Sequence, residues 1–169
     1  NNKSWYAQDG IGNIISPPGT GWNDVAKLNY QNADMRKAMI KLMKFWIYIA
    51  NIDGYRCDAA DFVPADFWKQ ALDSLRGITT HKLLLLAEGT RKDHFNMGFQ
   101  MMYGMGFYYN MVNNVFKKNG PAVSVDSVNA VEYSNSVNSS RVVRYTSNHD
   151  VNHADGTPLD LLGGKQGSL

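Results

Sequence analysis

The stretch GYRCDAAD, residues 54–61, places an arginine and a carboxylate two positions apart at the end of an apolar segment. Side chains on a β-strand alternate between its two faces, so Arg56 and Asp58 are predicted to point the same way. A neighbouring guanidinium keeps a desolvated carboxylate ionised and fixes its orientation, which suits a nucleophile. The octapeptide alone also fits a structural ion pair at a strand terminus. Its meaning therefore depends on the rest of the chain.

Two further segments have the pattern of strands that end in a carboxylate. KLLLLAEG, residues 82–89, is a continuous apolar run that ends in Glu88 and is typical of a strand buried on both faces. RVVRYTSNHD, residues 141–150, ends in Asp150. Helical patterns separate these strands, which predicts a parallel α/β sheet or barrel whose site lies at the carboxyl ends of the strands. We therefore expect the three carboxylates to meet at one edge.

Helical periodicity predicts the elements between the strands. Asn32 is a favourable N-cap, and a helix after it has lysines on one side and, on its predicted core face, Met35, Met39, Leu42, Met43, Trp46 and Ile49. Pro64 favours the start of a second helix, which ends near Gly77 and has an apolar stripe of Phe67, Trp68, Leu72 and Leu75. A short apolar piece at 101–103 precedes predicted helices over 105–118 and 121–133.

Composition narrows the class of protein further. The chain has 169 residues, of which 44% are hydrophobic, enough for one sizeable core. The net charge of +2 comes from scattered residues, so nothing indicates a nucleic-acid or membrane-binding surface. The single cysteine, Cys57, excludes an intrachain disulfide and fits a small buried strand residue. No long apolar run and no signal-peptide pattern occur, and residues 1–30 have the glycines and prolines of a loop.

The segments GYRCDAAD, LLLLAEG and YTSNHD resemble three signature segments of the alpha-amylase family of glycoside hydrolases, and WNDVAKLNYQNADMRKAM, residues 22–39, resembles the entry to that family's third barrel helix. The resemblance implies a (β/α)8 barrel enzyme acting on α-glucans. It also implies roles for five residues: Asp58 as nucleophile, Glu88 as acid/base, Asp150 as transition-state stabiliser, and Arg56 and His149 as substrate-binding groups.

The resemblance covers only part of the family's barrel. It implies an α/β fold corresponding to a partial TIM barrel, about strands four to seven with their helices. Residues 1–30 would then be a loop region that ends the inserted loop domain and enters helix three, and residues 31–169 the partial catalytic barrel. Four strands leave edges uncovered, so we expect the chain to pair with the missing barrel half or with a second copy.

The chemistry expected of these carboxylates follows from strand spacing. Retaining glycoside hydrolysis needs two carboxyl groups about 5–5.5 Å apart. Neighbouring strands lie about 4.8 Å apart, so Asp58 and Glu88 at adjacent strand ends would meet this requirement. Arg56 favours the ionised Asp58, whereas the negative charges of Asp58 and Asp150 favour a protonated Glu88. Asp150 would stabilise positive charge on the sugar, and His149 would donate to a hydroxyl group.

Other interpretations of the last segment are weaker. His149, Asp150, His153 and Asp155 offer metal-ligating atoms, but their spacing matches no closed zinc pattern. Ser147, His149 and Asp150 have the composition of a hydrolase triad but not its geometry, because three near-consecutive residues cannot reach one another as a triad does. We predict no metal site and no cofactor for the chemistry. The family's calcium ligands fall largely in segments that this chain lacks, so structural calcium is expected only in a full-length enzyme.

One departure from the family bears on specificity. Many alpha-amylases have a Lys-His pair three and four residues after the nucleophile, where this chain has Asp61 and Phe62. The subsites for the leaving group are therefore expected to differ. DVAKLNY, residues 24–30, is nearer to neopullulanase-like and cyclomaltodextrinase-like members.

The expected function is retaining cleavage of α-1,4 glucosidic bonds, with α-1,6 bonds as a further candidate, in starch, maltooligosaccharides or cyclodextrins. A non-catalytic glucan-binding fragment and a transglycosylase remain alternatives. No nucleic-acid or membrane partner is expected, and starch degradation favours a secreted or periplasmic location.

Overall fold

The computed structural model describes residues 2–134 and 141–164 of the chain. Four parallel strands form one sheet in sequence order. The strands are β1 (Gly54–Cys57), β2 (Leu84–Ala87), β3 (Met101–Tyr103) and β4 (Val142–Val143). The α-helices are α1 (Ala33–Ala50), α2 (Ala65–Arg76), α3 (His94–Met97), α4 (Ser124–Glu132), α5 (His149–Ala154) and α6 (Pro158–Leu161). This alternation confirms the predicted α/β fold of a partial TIM barrel.

The chain divides into two compact units, Asn1–Gly54 with Val63–Leu84, and Tyr55–Phe62 with Leu85–Leu169. In the first unit a 3₁₀ turn, Lys3–Trp5, and two isolated antiparallel bridges, Tyr6 to Leu28 and Gln8 to Ile14, order the segment before α1. These bridges organise a segment whose sequence predicts only a loop.

Helix α1 begins as predicted, because the Asn32 side chain accepts hydrogen bonds from the backbone of Asp34 and Met35. The predicted core face is right for Met35, which is buried, but wrong for three other residues. Leu42, Trp46 and Ile49 are 55%, 53% and 68% exposed, and the buried side chains of this helix are Met35, Ile40 and Ile47. The physical reason is that α1 packs on α2, and this contact covers a narrower stripe than the apolar residues of α1 occupy.

Helix α2 follows its prediction closely. It starts after Pro64, ends before Gly77 and buries Phe67, Trp68, Ala71, Leu72 and Leu75. The Arg36 guanidinium of α1 joins the two helices, at 2.8 Å from an Asp66 oxygen and 2.9 Å from the Gln70 amide oxygen.

The second unit contains the sheet from Tyr55 and Leu85 onward. Strand β2 is paired with β3 at Leu86 and Met101, and β3 with β4 at Tyr103 and Val143. Leu85 and Ala87 are fully buried. The sequence predicts that β2 is buried on both faces. This prediction is wrong for the face that carries Leu84, which is 48% exposed. The reason is that four strands supply only part of the side chains that fill a barrel interior.

Three later elements differ from the predictions. The helix expected over 105–118 is a π-helix at Phe107–Phe116, and the helix expected over 121–133 is shorter. The third predicted strand is reduced to β4, so Asp150 lies in the first turn of α5 instead of at a strand end. The glycines that follow Asp150 predict the start of a loop, whereas the structure has α5 and α6 there up to residue 161. Residues 165–169 lie outside the described part of the chain. No helix of the described residues is long and apolar enough to cross a membrane.

Candidate active site

The centre of the candidate site is the guanidinium of Arg56 on β1. Its Nη1 forms an ion pair with Asp58, and its Nη2 lies 2.8 Å from Glu88 Oε1 and 4.0 Å from Asp150 Oδ2. The structure therefore brings together four of the five predicted site residues around one cation. The expected same-side placement of Arg56 and Asp58 is confirmed by their ion pair.

Tyr103, at the end of β3, holds the arginine from a third direction. Arg56 Nε donates to the Tyr103 hydroxyl at 3.3 Å, and the guanidinium carbon lies 5.5 Å from the centroid of the tyrosine ring. Burial alone lowers the pKa of Arg56, but hydrogen bonds to Tyr103 and Asp58 and the charge of Glu88 raise it above its usual value. The arginine is therefore a permanent cation at the strand ends.

Glu88 is fixed mainly through the backbone. Its N–H donates to the Cys57 carbonyl at 3.0 Å and its carbonyl accepts from Ala60 N–H at 2.9 Å. Its Oε2 accepts from Ala59 N–H at 2.7 Å. Ala59 adopts a left-handed conformation with φ of 45°, which costs a residue other than glycine free energy and turns two successive N–H groups toward Glu88. The loop after β1 is thus shaped around this carboxylate.

Asp150 and His149 are held less firmly. Their side chains are 60% and 70% exposed, and His149 Nε2 lies 3.4 Å from Asp150 Oδ1. The Asn148 side chain caps α5 by accepting from Val151 N–H, which sets where this helix begins. Asp58 is also open to solvent, at 75% side-chain exposure, whereas Glu88 is only 15% exposed.

One contact runs against the electrostatic argument made from the sequence. From the sequence, Arg56 is expected to favour the ionised form of Asp58 alone. The negative charges of Asp58 and Asp150 are expected to favour a protonated Glu88. The structure places Arg56 Nη2 at 2.8 Å from Glu88 Oε1 as well. Arg56 therefore faces both carboxylates.

Cys57 takes no part in this centre. Burial raises the pKa of the Cys57 thiol to about 12, although Arg56 opposes the rise, so the thiol stays protonated. Asp155 accepts from the Tyr108 hydroxyl at 2.8 Å, which gives this candidate ligand a structural contact. Within residues 2–134 and 141–164, no group of three or more histidine, cysteine, aspartate or glutamate side chains is placed to hold a metal ion.

Three residues near the centre were missed from the sequence. Tyr103 ends a three-residue strand, and the pattern of strand ends would have found it had aromatic residues been considered beside carboxylates. Asp61 faces the loop after β2 and contacts the buried His94, while Phe62 next to it is 59% exposed. No local signal in the sequence marks the pairing of Asp61 with His94, because 33 positions separate them.

The fold and the site together define a class of protein. It is a partial (β/α) barrel with carboxylates and an arginine at the carboxyl ends of its strands. A family model described as the alpha-amylase catalytic domain matches residues 20–153. This match spans more than half of the chain, which therefore belongs to the alpha-amylase family of glycoside hydrolases. No curated protein sequence matches the chain significantly.

Solved structures agree with this assignment. A maltogenic alpha-amylase of Thermotoga neapolitana superposes with a TM-score of 0.68 at 25% identity, over 88% of this chain and 34% of that chain. An alpha-amylase of Lactobacillus plantarum gives 0.65 at 23% identity, over 78% and 34%. An alpha-amylase of Geobacillus thermoleovorans complexed with acarbose gives 0.58 at 21%, over 79% and 33%. The chain spans about a third of the length of these structures.

Proposed function

We propose that this chain carries the catalytic centre of a retaining glycoside hydrolase that cleaves α-1,4 glucosidic bonds. In this proposal Asp58 is the nucleophile, Glu88 the acid/base and Asp150 the stabiliser of the transition state. Arg56 and His149 bind and orient the substrate. The observation that carries the proposal is the single guanidinium of Arg56, which contacts Asp58 and Glu88 and lies 4.0 Å from Asp150.

The charges of this cluster suit the reaction. With Glu88 protonated as the acid, the carboxylates of Asp58 and Asp150 against one arginine leave a net negative centre, which favours the positive charge that develops on a sugar ring in an oxocarbenium-like transition state. In the first step an Asp58 oxygen bonds to the anomeric carbon while the bond to the leaving oxygen breaks, and Glu88 gives that oxygen its proton. In the second step Glu88 takes a proton from water, which displaces Asp58.

The exposures of the carboxylates support these separate roles. Asp58 and Asp150 are open to an incoming ligand, whereas Glu88 lies deeper and is oriented by Ala59 N–H. The proposal requires that Arg56 remain with Asp58 when substrate binds and that Glu88 then carry a proton. Desolvation of Glu88 by the sugar, together with the charge of Asp58, would favour that proton.

The proposed substrates are starch, maltooligosaccharides or cyclodextrins, with α-1,6 bonds to be tested beside α-1,4 bonds. The neighbouring structures support a glucan ligand, since one of them is a complex with acarbose.

The deciding experiment measures release of reducing sugar from soluble starch, maltoheptaose and pullulan. It uses the chain and any longer polypeptide that contains it, with the intact mass recorded alongside. Hydrolysis that is lost in Asp58→Asn supports the proposal. Binding of maltoheptaose without hydrolysis by every form of the protein would instead establish a glucan-binding role, and longer oligosaccharides among the products would establish transglycosylation.

A second part of the proposal concerns assembly. Five large apolar side chains of α1 are about half exposed or more: Leu42, Phe45, Trp46, Tyr48 and Ile49. An apolar surface of this kind is rarely left against water. We expect the chain to associate, either with the remainder of a barrel or with a second copy, and light scattering on the purified chain tests this. A cooperatively melting monomer of 18.9 kDa would contradict it.

A further inference from the structure

Asp61 makes a dense set of contacts outside the proposed catalytic roles. Its carboxylate accepts from Thr90 N–H at 2.9 Å, from the Thr90 hydroxyl at 3.1 Å and from Arg91 N–H at 3.2 Å. It also lies 2.7 Å from His94 Nε2. Asp61 follows β1, and these four donors all follow β2. One carboxylate thus ties together the two loops that carry Asp58 and Glu88.

His94 is the buried side of this contact. Its side chain is 0% exposed and packs edge-on against the Phe99 ring at 5.4 Å. Its Nδ1 has no hydrogen-bond partner among the described residues, so Nε2 makes the polar contact that orients the ring. Because a carboxylate only accepts, the Nε2 hydrogen must point at Asp61. Burying an imidazole with one unsatisfied nitrogen costs free energy. The hydrogen bond to Asp61 offsets part of this cost and fixes the position of the ring.

Gly89, directly after Glu88, makes room for the contact. A Cβ at this position would lie 2.4 Å from Asp61 Oδ1 and 2.9 Å from His94 Nε2. Either distance is too short for two non-bonded heavy atoms, so a side chain at residue 89 would push Asp61 away. The Arg91 guanidinium closes the arrangement from the other side, because its Nη1 donates to the Asp61 carbonyl at 2.9 Å.

The ionisation state of Asp61 agrees with this geometry. Burial alone raises the pKa of the Asp61 carboxyl, but hydrogen bonds from Thr90, His94 and Arg91 outweigh burial and lower it below its usual range. Asp61 is therefore a charged acceptor at neutral pH. Charged acceptors make stronger hydrogen bonds than neutral ones do.

We propose that Asp61 and His94 form a positioning pair that fixes Glu88 for catalysis. They hold residues 89–91 against the loop after β1, and that loop supplies the N–H groups of Ala59 and Ala60 that bind Glu88. Neither residue contacts the proposed reacting atoms, so both act through Glu88. The catalytic meaning of the pair rests on the proposed function, whereas its effect on Glu88 does not.

The test compares four variants. Asp61→Asn removes the charge, His94→Leu removes the donor, and His94→Gln keeps a donor near the position of Nε2. Asp126→Asn is the control, since it removes an exposed aspartate of α4 in the same unit. Two readouts are used: the amide signals of Ala59, Thr90 and Arg91 with their hydrogen-exchange rates by NMR, and kcat and KM with maltoheptaose.

We expect Asp61→Asn and His94→Leu each to speed exchange of the Thr90 and Arg91 amides and to shift the Ala59 amide, which reports its bond to Glu88. Both should lower kcat by about 10- to 100-fold with KM changed less than about twofold, because a misplacement of about 1 Å costs up to about 10² in rate. The double variant of Asp61→Asn with His94→Leu, made in addition to these four, should lower kcat no more than either single variant does. His94→Gln should keep kcat within about threefold, and Asp126→Asn should change nothing.

The opposite results are equally clear. An Ala59 amide that stays in place in Asp61→Asn, or a lowered melting temperature with kcat unchanged, would show a structural pair without influence on Glu88. If Asp61→Asn does not fold, the comparison of His94→Gln with His94→Leu tests the proposal instead. An equal loss of kcat in both variants would show that no hydrogen-bond donor is needed at residue 94. If no form of the protein hydrolyses glucans, the proposed function fails, while the Ala59 amide still decides the effect on Glu88.

Discussion

The two halves of the candidate site are built differently. Asp58 and Glu88 follow adjacent parallel strands, and backbone hydrogen bonds from Glu88 to Cys57 and from Ala60 to Glu88 join their loops. His149 and Asp150 lie in the first turn of α5, six residues or more beyond the end of β4, and both side chains are mostly exposed. The first half is fixed by the sheet and the second by a helix cap.

This difference matches what each half is proposed to do. Bond formation and proton transfer depend on the positions of atoms to a fraction of an ångström. Electrostatic stabilisation falls only as the inverse of distance, so a carboxylate can perform it from a less fixed place. The comparison therefore predicts graded losses when each half is altered.

The largest losses are expected in the half fixed by the sheet. Glu88→Gln and Asp58→Asn should each lower kcat by more than about 10³-fold, since general acid catalysis alone contributes about 10²–10⁴-fold. Affinity for maltooligosaccharide should fall little, because both variants keep the shape of the side chain. Isothermal calorimetry and initial rates check the two parts. More than a tenth of the activity left in Asp58→Asn would remove it from the nucleophile role.

Asp150→Asn should cost about 10²- to 10³-fold in kcat, the range expected when one electrostatic contact to a transition state is lost. A loss of kcat as large as that of Glu88→Gln would contradict the difference between the two halves. It would mean that catalysis depends on the position of the exposed carboxylate as strongly as on the positions of the fixed ones. Steady-state rates with maltoheptaose for the three variants, measured side by side, give the ranking.

How much of this arrangement the sequence predicts depends on the range of the interaction. Strand β2, helix α2 and the pairing of Arg56 with Asp58 follow from local periodicity and turn chemistry. The buried face of α1 does not, since it is set by which neighbour packs there. The contacts of Arg56 with Tyr103 and of Asp61 with His94 join residues 47 and 33 positions apart, so no local pattern encodes either contact. The contact of Arg56 with Glu88 joins two different strand ends and is likewise not encoded by a local pattern.

Gly89→Ala should lower kcat by about tenfold or more, because its Cβ would displace Asp61 and with it the loop that holds Glu88. Gly10→Ala is the matched control, since a Cβ there meets nothing within 4 Å. Both substitutions add one methyl group. Equal activities of the two variants would show that the half fixed by the sheet tolerates movement, which weakens the contrast.

Tyr103→Phe tests how much the orientation of Arg56 contributes to the half of the site that is fixed by the sheet. It removes the oxygen that accepts from Arg56 Nε while keeping the ring under the guanidinium. We expect kcat to fall about fivefold, since this hydrogen bond is long, at 3.3 Å, and a typical hydrogen bond contributes about 1 kcal/mol. Tyr109→Phe, which alters a half-exposed tyrosine of the π-helix, serves as control. An unchanged kcat in Tyr103→Phe would assign the orientation of Arg56 to its carboxylate partners.

The smallest expected effect is on stability at low pH. The folded-state pKa of Asp61 is depressed below 3.8, so the folded protein binds fewer protons than the unfolded chain and stability rises with pH in this range. The contribution of Asp61 is present above the unfolded pKa and is lost as pH falls through the folded pKa. Urea unfolding of the parent and Asp61→Asn from pH 6 to about pH 3 should therefore show the difference between them narrowing. A constant difference would mean that Asp61 is held by packing and not by charge.

The central claim, a covalent role for Asp58 with Glu88 as the acid, is tested most directly by trapping. Fluoride leaves without help from an acid, so Glu88→Gln incubated with α-maltosyl fluoride should form the glycosyl-enzyme and then hydrolyse it slowly, for lack of a base. Intact mass spectrometry followed by peptide mapping should find one maltosyl group on Asp58 and none in Asp58→Asn. A maltosyl group on another carboxylate, or turnover of the fluoride without any adduct, would contradict the account.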